Sequence, residues 1–371
     1  MKRHRWLVMA AVFTLLVVLV YIQFRTLKRF QWSTLDQAFH SIRWLQLVLA
    51  TALIYGAYIV RAFRWSVFLR PTKPATPAQM IPAQYIGFTA IAVLGRLGEF
   101  VRPYLVARRQ QVTFTSQLAV YTMERIFDLL AAAGIIAGTL SISSSVRTLP
   151  YHREFRHFGY LGIALALLLA LIAVAIRVAG PRIADLSERA FGVFSKRAGH
   201  AVKEKVLAFS LGLDAVGGWT ELLLILFYSF LNWGFIALAY VETVHAFRVP
   251  ELASIPAAQT VVLMAASMAG SVLQLPMVGG GSQLATIDVL HLILGVGAEA
   301  ATACGLVLFA VTFLAVIPAG LIFARVEQVS LRNVARASEG EEEKFVASGS
   351  DATSNPDGDS DRPREVSSLQ S

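Results

Sequence analysis

Apolar runs of about 20 residues recur along the chain, separated by short basic or proline-rich stretches, and a run of that length fits a membrane-crossing helix. The first covers residues 6–24, behind the basic start Lys2-Arg3-His4-Arg5. It is longer than the roughly 7–15 apolar residues of a signal peptide and no Ala-x-Ala site follows, so it reads as a retained span. A second covers residues 44–69, with Arg61 and Arg64 near its end, where long side chains reach headgroups by snorkelling. Further spans fall at residues 116–140, 158–176, 221–240 and 301–324. Prolines at 71, 74 and 77 stop the second span.

Two places break this rhythm. Residues 78–95 are apolar but short and run straight into Gly95-Arg96-Leu97-Gly98-Glu99, which fits a re-entrant segment better than a full crossing. Residues 255–275 and 283–294 are two further apolar stretches flanking Pro276-Met277-Val278-Gly279-Gly280-Gly281-Ser282. One interruption lies in each half of the chain, as expected of inverted-repeat transporters with a site at mid-membrane depth. The expected fold is an all-α polytopic membrane protein of about seven or eight membrane segments, two of them broken or re-entrant. The membrane domain spans residues 1–337.

Composition agrees. Of 371 residues, 56% are hydrophobic and 15% charged, with a mean hydropathy of +0.60. That apolar surplus exceeds what one soluble core buries and has to face lipid. A soluble enzyme, a nucleic-acid-binding domain and a secreted disulfide scaffold are excluded; the single cysteine, Cys304, has no partner within the chain. The net charge of +9 is uneven. Residues 338–371 hold nine acidic and three basic side chains and almost no apolar ones, so this acidic tail is expected to be disordered and cytoplasmic. The basic excess of the body reports topology and anionic headgroups. Basic residues at the N-terminus, at 61–73, at 177–205 and after 324 place those regions and both termini in the cytoplasm. Arg25, Lys28, Arg29 and Arg43 oppose this and fall on the outer side.

No zinc-protease, P-loop or serine-elbow motif is present, and the seven histidines show no ligand spacing, so neither a metal nor a cofactor is expected. Charge inside apolar runs is the chemistry on offer. In Arg96-Leu97-Gly98-Glu99-Phe100-Val101-Arg102 the glycines let the backbone turn, and Arg96 and Arg102 can clamp a lipid phosphate bidentately with Glu99 holding the guanidiniums. An ordinary helix end with interfacial arginines is the competing reading. Glu124 and Asp128, four apart on one helix face with Arg125 beside them, invite a cation such as Arg96 or Arg102. The same pairing also fits a structural salt bridge that docks the broken segment. Gly279, Gly280 and Gly281 allow close approach of a headgroup or of backbone, or else form a tight loop. Asn232, Gln274, Gln283 and Asp288 are inner polar residues suited to a cavity or to interhelical hydrogen bonds.

The runs Ile86-Gly87-Phe88, Gly95 through Leu105 and Glu124-Arg125-Ile126-Phe127-Asp128 resemble the lysylphosphatidylglycerol synthase transmembrane-region family, the flippase-like domain proteins. Arg61-Ala62-Phe63-Arg64-Trp65 and the late Pro276–Gly280 break extend the likeness over roughly residues 1–330. The family often has Asn and Pro where Ala90 and Leu94 stand here, and a glutamate after its late glycines where Ser282 and Ala285 stand. The resemblance implies the membrane part without the soluble aminoacyl-transferase domain. It also implies translocation of an anionic phospholipid or lipid-linked intermediate across the bacterial cytoplasmic (inner) membrane, with membrane phospholipids as partners. A non-catalytic membrane scaffold, or a headgroup-modifying enzyme using Glu99 or Asp128 as base, are the rivals.

Overall fold

A computed structural model describes residues 32–192, 203, 207, 210, 217–271, 274–275 and 279–328. The first expected span and the acidic tail lie outside these residues, as does the side chain of Arg96. Apart from one two-residue antiparallel ladder, the described chain is helical: an all-α polytopic membrane protein. Five described helices are long and apolar enough to cross a membrane. After α1 (Trp32–His40) these are α2 (Trp44–Leu69), α5 (Phe114–Ile142), the first part of α6 (His152–Gly192), α7 (Trp219–His245) and the last span, Ala298–Val326. Phe158, Leu161, Leu165, Leu168, Leu171 and Ile172 are all exposed on α6, an apolar surface that suits lipid.

Helix α6 runs on past its apolar part as a charged extension, bent where Ala179 leaves helical geometry (φ −108°, ψ 17°) just before Pro181. On that extension Asp185 and Glu188 lie 2.8 Å and 2.7 Å from Lys203, which holds the Asp185 carboxyl below its ordinary range.

The chain divides into two compact units, and α2, α5 and α7 each contribute one stretch to each. Each unit contains one broken segment. In the unit holding residues 58–134, 159–233 and 316–371, α3 (Pro77–Leu94) leads through a 3₁₀ turn (Gly95–Phe100) into α4 (Val101–Gln110). Local chemistry sets both ends of α3. Gln79 accepts a hydrogen bond from the Thr76 backbone N–H at 3.0 Å and Pro77 sits at the first helical position. Gly95, at φ +67°, ends the helix in a conformation that favours glycine. The chain then doubles back antiparallel. A Cβ on Gly98 would overlap the Ala90 carbonyl, and one on Gly87 would meet Arg102 Cβ at 2.6 Å. The re-entrant reading is thus a helical hairpin zipped by glycine contacts.

The last span closes on this hairpin. Its final part, α11 (Val316–Val326), packs on α3 where Gly320 leaves no room for a Cβ beside Thr89, whose hydroxyl donates to Val316 O at 3.2 Å. Trp65, Phe68, Met80, Ile86 and Ile225 fill the core of this unit.

The other unit holds residues 1–57, 135–158 and 234–315. Here α8 (Ala257–Gly270) and α9 (Gly281–Asp288) form the second hairpin, so the expected stretches 255–275 and 283–294 are shorter than a crossing. Gln274 and Leu275 pair with Gly280 and Gly279, and Gly280 turns the chain at φ +99°. A Cβ on Gly270 would collide with the Gly281 carbonyl. The unit also holds α10 (Ala298–Phe309), the first part of the last span, which continues into a π turn whose Ala315 N–H reaches back to Ala310 O at 2.8 Å. Tyr55 donates its hydroxyl to Ala315 O at 2.6 Å, satisfying a carbonyl beside that defect.

Candidate functional site

The first two long helices among the described residues, α2 and α5, meet face to face through charge. Arg61 and Arg64 are three apart on α2, and Glu124 and Asp128 are four apart on α5, so each pair lines one face of its helix. Arg64 places Nη2 2.7 Å from Glu124 Oε1 and Nη1 2.7 Å from Asp128 Oδ1. Arg61 Nη1 bridges the same carboxylates at 3.1 Å and 3.0 Å. Trp65 donates its indole N–H to Glu124 Oε2 at 2.9 Å, and Trp233 of α7 donates to Asp128 Oδ1 at 3.2 Å. Ser229 accepts from Arg64 at 2.8 Å and donates its own hydroxyl hydrogen bond to Ile225 O at 2.7 Å. Arg61 and Arg64 are buried. The expectation that they snorkel to headgroups is corrected: intramembrane carboxylates on the neighbouring helix hold them inside.

The first hairpin plugs into this core. Arg102, 1% exposed, reaches Glu124 Oε2 at 2.5 Å and Gln84 Oε1 at 2.9 Å. Its guanidinium lies 5.2 Å, 5.1 Å and 5.2 Å from the rings of Trp65, Phe88 and Tyr121, and Arg61 lies 4.9 Å from Phe88. Glu99 does not hold Arg102, as the sequence reading supposed; it accepts a hydrogen bond from Tyr121 at 2.7 Å. Glu124 holds Arg102. The carboxylates draw on Arg61, Arg64 and Arg125 as well as on the expected Arg102, and Arg96 contributes its backbone to the 3₁₀ turn.

Arg125 is the open edge of the network. Its side chain is 43% exposed while Nη2 holds Asp128 Oδ2 at 2.9 Å, and its guanidinium lies 5.1 Å from the Tyr121 ring. Burying charge is costly unless every ion is paired, and this network pairs each carboxylate several times over. It is not neutral. Four guanidiniums face Glu124 and Asp128, and the third carboxylate, Glu99, bonds to Tyr121 and lies close enough to act on Arg125. A positive surplus remains at a depth where apolar side chains pack around it, and such a surplus favours an anion.

Donors remain as well. Arg102 Nε, Arg64 Nε and Gln84 Nε2 are buried without a hydrogen-bond partner among the described residues, and so is the amide of Asn232. Gly98 serves the site from behind, by letting the hairpin close tightly enough to carry Arg102 inward. Gly279, Gly280 and Gly281 belong to the other unit, where their backbone forms the ladder and starts α9. Asp288 is exposed in that unit. No group of His, Cys, Asp and Glu among the described residues is arranged to hold a metal ion.

The residues that sequence reasoning left out of the site are Arg61, Arg64, Trp65, Gln84, Tyr121, Ser229 and Trp233. A signal for the first two was present: two arginines one turn apart facing away from the exposed apolar positions match two carboxylates one turn apart on another span.

Comparison with known proteins is one-sided. No curated protein and no solved structure matches the chain. The model of one family matches residues 6–320, a stretch that includes both hairpins and every charge of the network, and the chain belongs to that family, the lysylphosphatidylglycerol synthase TM region.

Proposed function

We propose that this membrane protein binds and translocates an anionic phospholipid, or a lipid-linked anionic intermediate, across the bacterial cytoplasmic membrane. The observation that carries the reading is the positive surplus of the buried network, which ends at Arg125. Its side chain is the partly exposed member of an otherwise enclosed set. A headgroup phosphate meeting Arg125 would relieve the surplus without dismantling the inner pairs, and Arg provides the planar fork that phosphate binds best. In this reading Arg61, Arg64 and Arg102 are positioning residues. They fix Glu124 and Asp128, which in turn aim Arg125.

The two helical hairpins support the same reading. Broken helices at membrane depth are tolerated where they are buried in protein or line a path, and they recur in transporters.

The test is transport. Purified protein is reconstituted into vesicles carrying fluorescent phosphatidylglycerol, and the fraction of label accessible to an external quencher is followed. Faster exchange than in empty vesicles, stronger for phosphatidylglycerol than for phosphatidylcholine, is the expected result. Exchange no faster than in protein-free vesicles would sink the reading.

A further inference from the structure

At the foot of the first hairpin, well apart in sequence from the charge network's carboxylates, a cavity of about 310 Å³ opens between α3, α4 and the residues that follow α11. That volume is at the low end of the roughly 300–1,000 Å³ of ligand pockets. It suits a headgroup and the first atoms of its tails, not a whole lipid. Its floor is apolar, from Pro82, Ile86 and Leu105. Its polar side carries Arg108, Arg109 and Glu327. Arg109 Nη1 lies 2.9 Å from Glu327 Oε1, so that charge is balanced in place. The Arg108 guanidinium has no ion-pair partner among the described residues. Among the described residues, the cavity therefore offers one cation without an ion-pair partner beside an apolar lining.

We infer that this cavity is a second lipid site, a docking station for the phosphodiester of an anionic glycerophospholipid. The inference rests on the proposed lipid translocation for its purpose, and on the cavity for its chemistry. A phosphodiester carries one negative charge and is attached to apolar glycerol ester arms, which matches the Arg108 guanidinium, unpaired among the described residues, and the apolar lining. Inorganic phosphate, more highly charged and wholly polar, would leave that floor unused and would meet Glu327 as a repelling neighbour.

Arginines in the last turn of a helix also have a plainer explanation, since cations are favourable at helix C-termini and on the cytoplasmic side. The Arg109–Glu327 pair separates the two. If the cavity binds a phosphodiester, Glu327 restrains a second guanidinium that the ligand could recruit, so removing the carboxylate should strengthen binding. An arginine present only for topology or for the helix dipole predicts no such gain.

The experiment is equilibrium binding to the purified full chain in non-ionic detergent, with water-soluble short-chain phosphatidylglycerol as probe and inorganic phosphate as competitor. Arg108→Ala should weaken binding by about tenfold or more, the size expected for a charge-assisted contact. Glu327→Gln should tighten it. Arg108 is exposed and Glu327 is half-buried in a single ion pair, so the melting temperature should stay put in each variant and serve as the folding control. Unchanged affinity in Arg108→Ala, weaker binding in Glu327→Gln, or displacement of the lipid by phosphate at equal concentration would each overturn the inference. Vesicle transport with no Arg108-dependent binding would sink the docking site alone. Arg108-dependent binding without transport would sink the translocation reading alone.

Discussion

Arg102 Nη2 lies 2.5 Å from Glu124 Oε2, with neither side chain open to solvent, and that contact ties the first hairpin to the long helix α5. It makes the hairpin's placement an electrostatic matter as much as a packing one. Removing one partner of a buried pair leaves an uncompensated charge, which costs about 3–5 kcal/mol, whereas removing both leaves a smaller penalty. Glu124→Gln should therefore lower the melting temperature in detergent at least as far as Arg102→Gln does, because Glu124 also loses Arg61, Arg64 and Trp65. The Arg102→Gln/Glu124→Gln double variant should be more stable than the sum of the singles predicts. Strictly additive losses would dissolve the network into independent contacts.

The hairpin itself is closed by backbone proximity. A methyl group on Gly98 would overlap the Ala90 carbonyl, and neither atom belongs to a flexible side chain. Gly98→Ala should yield little folded protein by size exclusion. Gly138, inside α5, is the control: a Cβ there meets nothing within 4 Å, and Ala is the better helix former by roughly 0.5–1 kcal/mol. Gly138→Ala should melt at the same temperature or slightly higher. Equal tolerance of both substitutions would mean that the hairpin does not close as tightly as described.

Much of this architecture is legible in the sequence, because apolar runs of membrane-crossing length and their interruption by glycine are one-dimensional signals. The span at 44–69 and the break at Gly95 follow from length and glycine content alone. The placement of Arg61 and Arg64 does not. Their position near a span end reads as interfacial, and only the packing of α2 on α5 turns them inward toward Glu124 and Asp128. The expected pairing of Glu99 with Arg102 fails for a related reason. Its spacing in Arg96-x-Gly98-Glu99-x-x-Arg102 places it close to both arginines along the chain, but the 3₁₀ turn directs it to the Tyr121 hydroxyl. Short-range spacing predicts partners well within a regular helix and poorly across a change of helix type. The glycines were easier to read than the charges, since a left-handed turn and a close contact are local demands.

The hairpins also bear on orientation. Each enters and returns antiparallel, through contacts such as Gly87 with Arg102 and the Gln274–Gly280 pair, and a hairpin that re-enters in this way is expected to leave the side of emergence unchanged. If the five long apolar helices among the described residues and the apolar run at residues 6–24 each cross, the number of crossings is even. An even number would put both termini on one side, and the basic segments predict that this side is the cytoplasm. Reporter fusions at Ser210 and at Ser371 should both read as cytoplasmic, and one at Ser143, between α5 and α6, as external. A periplasmic reading at Ser371 would mean that a hairpin crosses fully or that the first run does not.

Arg125 allows the functional and structural roles of the network to be separated. Its side chain is exposed at one edge, so its loss removes a partner from Asp128 while Arg61 and Arg64 still hold that carboxylate at 3.0 Å and 2.7 Å. Arg125→Gln should thus cost less stability than Arg102→Gln, which removes a fully enclosed partner. If Arg125 is where a headgroup phosphate binds, lipid exchange in reconstituted vesicles should fall steeply in the same variant. Arg125→Lys keeps the charge but loses the planar fork, so it should restore part of the rate. Arg102→Gln is the contrasting case, with melting temperature and transport declining together because it acts through the position of Glu124. Transport that tracks melting temperature across all three variants would leave the network a structural brace. Transport lost in Arg125→Gln at an unchanged melting temperature would mark Arg125 as the residue that meets the lipid.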